Sequence, residues 1–95
     1  MNKPKTLVEL FTDPKRWTKE SYARTHTGRR TPFNHSAAVC WCLLGGIGFV
    51  YGNGTLATDA RVALKELLPE NVGLAQFNDC HTHEEVLDLC KRADV

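Results

Sequence analysis

Residues 77–86, FNDCHTHEEV, gather Asn78, Asp79, Cys80, His81, His83, Glu84 and Glu85 into one short stretch. Side chains of these types can hold a metal, run acid–base or nucleophilic chemistry, or start a helix. A zinc site would pair His81 and His83 with Cys40 and Cys42, because imidazole nitrogens and thiolates both ligate that ion. The spacing opposes it: each pair has a single residue between its members, closer than structural zinc sites place theirs. A catalytic site would use Asp79 with His81 or His83 as base, or Cys80 as a nucleophile beside a histidine. Adjacency along the chain supports that only weakly, since catalytic constellations assemble from separate segments. No G-x-S-x-G, H-E-x-x-H or P-loop motif accompanies the cluster. The glycines of GGIGFVYG sit in an apolar run rather than after a strand, so a dinucleotide-binding loop is not expected.

The structural use explains more of the residues. Thr82-His83-Glu84-Glu85 fits the capping box, in which the Thr82 hydroxyl accepts from the Glu85 amide and the Glu85 carboxylate accepts from the Thr82 amide. Glu84 and Glu85 then lie in the positive first turn of a helix. Asn78 and Asp79 are expected to turn the chain into it, their side chains bonding nearby backbone amides. No metal and no cofactor are expected on this reading.

A second set of chemically active residues is basic. Residues 1–30 hold eight Lys/Arg, Lys3, Lys5, Lys15, Arg16, Lys19, Arg24, Arg29 and Arg30, against Glu9, Asp13 and Glu20. From residue 59 onward, Arg61, Lys65, Lys91 and Arg92 face eight acids, and residues 31–58 carry no charged side chain. The first third is therefore +5 and the last part −4, although the chain as a whole is only +1. A basic third attracts phosphate-bearing ligands or an acidic partner surface, while the small net charge makes nucleic acid an improbable partner.

The elements that must position these groups are mainly helical. In KTLVELFTD, Leu7, Leu10 and Phe11 have helical spacing, and Asp13-Pro14 ends the turn. TGRR reads as the turn of a small hairpin. Residues 37–51 are apolar or glycine throughout and predict a buried central helix, capped by Asn34 or Ser36 and ended by Gly52-Asn53-Gly54. Fifteen such residues rise about 22 Å, short of the roughly 30 Å core of a bilayer, so no membrane span is expected. Gly45, Gly46 and Gly48 lower helix propensity there, which calls for close approach by a neighbouring helix or the hairpin. TLATDARVALKELLPE predicts a helix capped by Thr55 or Thr58, with Ala60, Leu64, Leu67 and Leu68 as its stripe. The alternation of Val72, Leu74 and Gln76 predicts a short strand. A last helix runs from about His83 to Arg92, burying Val86, Leu89, Cys90 and Ala93.

The fold class expected is mainly α with a minor β element (α+β): one domain of 95 residues, about four helices around a buried central helix, with a small β-hairpin. MNKPKTLVEL lacks the apolar core of a secretory signal, so four cysteines read as reduced thiols and the expected location is cytoplasmic.

RWTKESYAR, AAVCWCLLGG, FND and THEEVLDLCKRA, in this order and spacing, resemble a small domain-of-unknown-function family of phages and bacteria. Its pattern runs W-T-x-G-x-x-A-R, A-x-C-W-C-L-L-G-A, W-N-D and T-x-E-E-V-x-x-L-x-x-A, and the resemblance spans roughly residues 7–93. It carries over Trp17, Arg24, Cys40, Trp41, Asn78, Asp79, Thr82 and Glu85. Glu20 and Phe77 depart from the pattern in place of a small residue and a Trp, a difference expected to alter packing rather than chemistry. Cys80, His81 and His83 lie outside the pattern, which removes ligands from a zinc or Cys–His site.

The function expected first is non-enzymatic: a phage or prophage accessory protein that binds a phosphorylated, nucleotide-like small molecule. Arg24, Arg29 and Arg30 would fork onto phosphate, Trp17 or Trp41 would stack on a base, and Asn78 or Asp79 would read a base edge or ribose hydroxyl. Small phage proteins that sequester host nucleotide immune signals supply the analogy. The alternative is a protein-interaction inhibitor docking its basic third on an acidic host protein. A hydrolase using Asp79 and His81 comes third. The uncharged middle suggests a surface for self-association.

Overall fold

The structure, a computed structural model, describes residues 4–95, so Lys3 among the basic residues above lies outside it. The first helix, α1 (Leu7–Phe11), starts where the Thr6 hydroxyl accepts from the Glu9 amide at 3.1 Å. It buries Leu7, Leu10 and Phe11. Asp13 then accepts from the Lys15 amide and opens a single 3₁₀ turn, Pro14–Arg16.

Three two-residue strands follow: β1 (Ala23–Arg24), β2 (Arg30–Thr31) and β3 (Cys40–Trp41). They form an antiparallel sheet in the order β2-β1-β3. β1 and β2 are the expected hairpin, with Gly28 at φ 87° in its turn, and β3 is an addition. Ala23 pairs with Thr31 on one side and Trp41 on the other, while Arg24 pairs with Arg30 and Cys40. A bridge from Trp17 to Trp41 ties the preceding segment to the outer side of β3.

The strand β3 corrects the helix expected over 37–51. The helix that forms, α2, is shorter (Leu43–Tyr51), and neither Asn34 nor Ser36 caps it. Cys42 is its N-cap, the Sγ accepting from the Gly45 amide at 3.3 Å, and Gly52 at φ 79° ends it. An uninterrupted apolar run suits a buried strand as well as a buried helix, and Val39-Cys40-Trp41 finds a free edge of β1 to pair with.

Next come α3 (Thr55–Lys65), α4 (Leu74–Cys80) and α5 (His83–Ala93). Gly54 is the N-cap of α3, so neither Thr55 nor Thr58 caps it by a side chain. The buried stripe of α3 is Ala57, Ala60 and Leu64, and Leu67 and Leu68 fall beyond its end, Leu67 exposed. The strand expected around Val72–Gln76 is instead the start of α4. Leu74, Phe77 and Asn78 recur at helical spacing, and Leu74 and Asn78 are buried. Asn78 and Asp79 accordingly lie inside a helix and not in a turn. The box at Thr82 and Glu85 forms in full, with both reciprocal hydrogen bonds, and α5 buries Val86, Leu89 and Cys90.

α2 is the hub, packing on α1, α3, α4 and β3 around one buried apolar cluster. Its glycines do what their cost demands. A Cβ on Gly45 would enter the backbone of Tyr22, and one on Gly48 would meet the Phe33 ring at 2.7 Å. On another side, a Cβ on Gly46 would meet Phe11 of α1 at 2.8 Å. One strip of α2 is thus bare enough for the hairpin arm to lie on it. No helix among the described residues is long and apolar enough to cross a membrane. The apolar residues of 31–58 that are buried, Trp41, Leu43 and Ile47 among them, are buried in the chain's own core.

Candidate functional site

The polar residues expected at a site separate into two groups, one closed by internal bonds and one open. Asn78 centres the closed group. It is fully buried on α4, and its Oδ1 accepts from the Trp17 indole at 2.7 Å and the Leu43 amide at 3.0 Å. Its Nδ2 donates to the Thr18 carbonyl at 3.0 Å and to Asp79 Oδ1 at 3.2 Å. Two acceptor and two donor places exhaust the amide. Asn78 ties three segments together and has nothing left for a ligand.

Arg24 is also tied into the chain, each of its three nitrogens making one bond. Its Nε donates to Thr18 Oγ1, its Nη1 to the Gly28 carbonyl and its Nη2 to the Lys19 carbonyl, at 3.0–3.2 Å. The guanidinium pins the hairpin turn to the segment behind it. Trp41 is buried, with its indole donating to the Phe33 carbonyl at 2.9 Å and its ring stacked on Phe49. Trp17 is half-buried between Asn78, His83 and Lys19. Arg29 is exposed in the hairpin turn.

The open group lines a groove of about 1220 Å³ between the hairpin arm and the helices α2, α3 and α4. Arg30, Thr31 and Phe33 border it from the arm, and Glu20 and Tyr22 from the segment leading into β1. Gly48 of α2, Arg61 of α3 and Asp79 of α4 complete it. The bare strip at Gly45 and Gly48 is what brings Tyr22 and Phe33 to this place; Tyr22 is 59 % exposed and Phe33 half-buried. The charged side chains here form no ion pair with one another. Among the described residues the ion pair present is Asp88–Arg92 on α5, elsewhere. Asp79 Oδ1 accepts from the Glu20 amide at 2.9 Å, and the bond holds Glu20 at φ 61°. Glu20 in place of a small residue is therefore a matter of backbone conformation, not of packing as expected.

Arg30 and Asp79 are the expected site residues that the fold brings together. Glu20, Tyr22, Phe33 and Arg61 were not expected. They come from three separate segments, and only the glycine spacing of α2, which marks where another segment must lie against it, hinted at their meeting.

The third expectation, a pair of Asp79 and His81, does not form. Asp79 borders the groove, whereas His81 donates through Nδ1 to the Phe77 carbonyl at 2.8 Å, stacks on the Phe77 ring and borders a separate hollow with Glu84, Asp88 and Arg92. His83 bonds through Nε2 to the Phe11 carbonyl at 2.6 Å. His83 ties α5 to α1, and His81 closes the end of α4. All four cysteines are free thiols. Burial pushes the Cys90 thiol up to about 12 and raises that of Cys42, so neither supplies a thiolate near neutral pH. No group of three or more His, Cys, Asp or Glu among the described residues is placed to hold a metal ion.

The model of a family of unknown function, DUF6197, matches residues 8–94. No curated protein and no solved structure matches the chain.

Proposed function

For a chain that belongs to DUF6197, we propose a non-enzymatic role: binding a phosphorylated, base-containing small molecule in the groove between the hairpin arm and α2–α4. One observation carries this reading. The exposed ring of Tyr22, the half-buried ring of Phe33 and three charged side chains in no ion pair among the described residues, Arg30, Arg61 and Asp79, line the same concavity. A base stacks on an aromatic ring for about 1–3 kcal/mol, and guanidinium forks match phosphate oxygens. The groove of about 1220 Å³ exceeds the few hundred to roughly 1,000 Å³ of ordinary small-molecule sites, which favours a ligand as large as a dinucleotide. The stacking groups are then Tyr22 and Phe33 in place of Trp17 and Trp41, and the phosphate groups are Arg30 and Arg61 in place of Arg24. The sequence resemblance suggests a phage or prophage setting, and analogy with small phage proteins that sequester host nucleotide signals suggests the role.

Calorimetric titration with cyclic dinucleotides, ADP-ribose and mononucleotides tests the reading. Micromolar binding that Arg30→Ala weakens ten- to hundredfold is the expected result, since a hydrogen bond to a charged group contributes about 1.5–3 kcal/mol. No heat from any of these ligands would end it.

A second reading rests on Arg29. The turn carrying it is held rigid by Arg24, and exposed Lys15 and Lys19 precede the hairpin, so an acidic protein surface could dock there. Melting temperature separates the two. A nucleotide binder gains stability with ligand by mass action, whereas an inhibitor of this kind responds to a protein partner alone.

A further inference from the structure

Glu20 is one of two non-glycine residues at positive φ among the described residues, and it borders the groove. The left-handed conformation is unfavourable for a residue with a Cβ, and a glycine would adopt it freely. Such strain tends to persist where a side chain is needed at that place. The position is held, not accidental: the Glu20 amide donates to Asp79 Oδ1 at 2.9 Å, and Asp79 is itself steadied by Asn78 Nδ2 at 3.2 Å. Among the described residues the Glu20 carboxylate has no hydrogen-bond or ion-pair partner, and neither has Asp79 Oδ2. An ionised carboxylate only accepts hydrogen bonds. Glu20 is exposed and Asp79 half-buried, and both border the groove, so a ligand seated there would have to replace the water on these carboxylates with hydrogen-bond donors of its own.

We infer that Glu20 is a specificity-determining residue of the groove, selecting ligands that present hydrogen-bond donors, a ribose hydroxyl or an exocyclic base amine, alongside their phosphate. Asp79 acts as the positioning residue that keeps Glu20 in its left-handed conformation. The inference rests on the nucleotide reading above and adds which nucleotides are taken and by which residue. Arg30 and Arg61 attract the anion without regard to the rest of it. Glu20 repels a bare phosphate and rewards a donor-bearing ligand, which is discrimination by repulsion as well as attraction.

The experiment compares the intact protein with Glu20→Gly and Glu20→Gln, using calorimetry against AMP, 2′-deoxy-AMP, IMP and inorganic phosphate, and thermal unfolding without ligand. Glu20→Gly removes the carboxylate and the strain together. Its melting temperature should equal or exceed that of the parent, while AMP affinity falls at least tenfold. Glu20→Gln keeps the side-chain length and should lose affinity several-fold, because a neutral amide is a weaker acceptor. Loss of affinity with 2′-deoxy-AMP assigns the donor to the ribose, and loss with IMP assigns it to the base amine. Binding of AMP by the parent with both variants unaffected would overturn the inference and leave the nucleotide reading standing. A Glu20→Gly melting temperature several degrees below the parent would also overturn it, since Glu20 would then serve the fold. Absence of binding by the parent to every nucleotide, the cyclic dinucleotides and ADP-ribose included, overturns both.

Discussion

Arg24 and Arg30 face each other across the hairpin, paired in register on β1 and β2. Arg24 is half-buried and commits each of its three nitrogens to the chain, bonding Thr18, Lys19 and Gly28. Arg30 is exposed at the rim of the groove and forms no ion pair among the described residues. The next pair on the same chain, Asn78 and Asp79, repeats the contrast one residue apart on α4. Asn78 is sealed and exhausted, and Asp79 keeps one oxygen for the groove. Residue type thus says little about whether a polar group serves the fold or a ligand; the partners left unsatisfied decide it.

That contrast can be broken by substitution. The largest effect is expected at Asn78→Ala, which leaves the buried Leu43 amide and the part-buried Trp17 indole and Thr18 carbonyl without their partner. Each buried group left unpaired costs about 1–3 kcal/mol, so a loss of roughly 3–5 kcal/mol in urea unfolding is expected, a large part of a small domain's total. Arg24→Ala comes next, with a loss of about 1–2 kcal/mol from freeing the turn. Arg30→Ala, its cross-strand partner, should change stability by no more than about 0.5 kcal/mol while weakening ligand binding. Equal stability losses at both arginines would erase the distinction drawn here.

Thiol labelling sharpens the same comparison. Cys80 is exposed, whereas Cys42 and Cys90 are buried with raised pKa values. A maleimide at pH 7.5 should modify Cys80 within minutes and leave Cys42 and Cys90 unmodified until the protein unfolds, as read by mass spectrometry of peptides. The smallest effect concerns Glu85. The hydrogen bond from the Thr82 amide holds its carboxyl below the usual value, so the folded state favours the ionised form. The stabilisation it gives is present above the ordinary carboxylate range and fades as pH falls through the lowered value. The decline in melting temperature from pH 5 to pH 3 should be shallower in Glu85→Gln than in the parent.

The sequence made some of this legible and hid the rest for identifiable reasons. α1, the hairpin and α5 carry local signals, a cap, a turn glycine and a capping box, that no distant contact overrides. Residues 37–42 carry no such signal, because an apolar run fits either a strand or a helix until the edge of β1 is known. α4 misled because Val72, Leu74 and Gln76 alternate by chance, and its helical face includes a buried polar residue, Asn78, where a hydrophobe is the usual mark. Of the site, Arg30 and Asp79 were readable as charged groups. Tyr22, Phe33 and Arg61 look like ordinary surface residues until Gly45 and Gly48 let the arm settle on α2.

The amide of Asn78 joins residues 17–18, residue 43 and residue 78, places that an extended chain holds far apart. No partly assembled intermediate that lacks any one of these segments can satisfy it. Hydrogen exchange at the Trp17 indole and the Leu43 amide should accordingly follow whole-molecule opening, at one shared rate, while the rim of the groove exchanges freely. The clasp would then set the cooperativity of this small protein, and the binding surface could rearrange around an incoming ligand without loosening what lies beneath it.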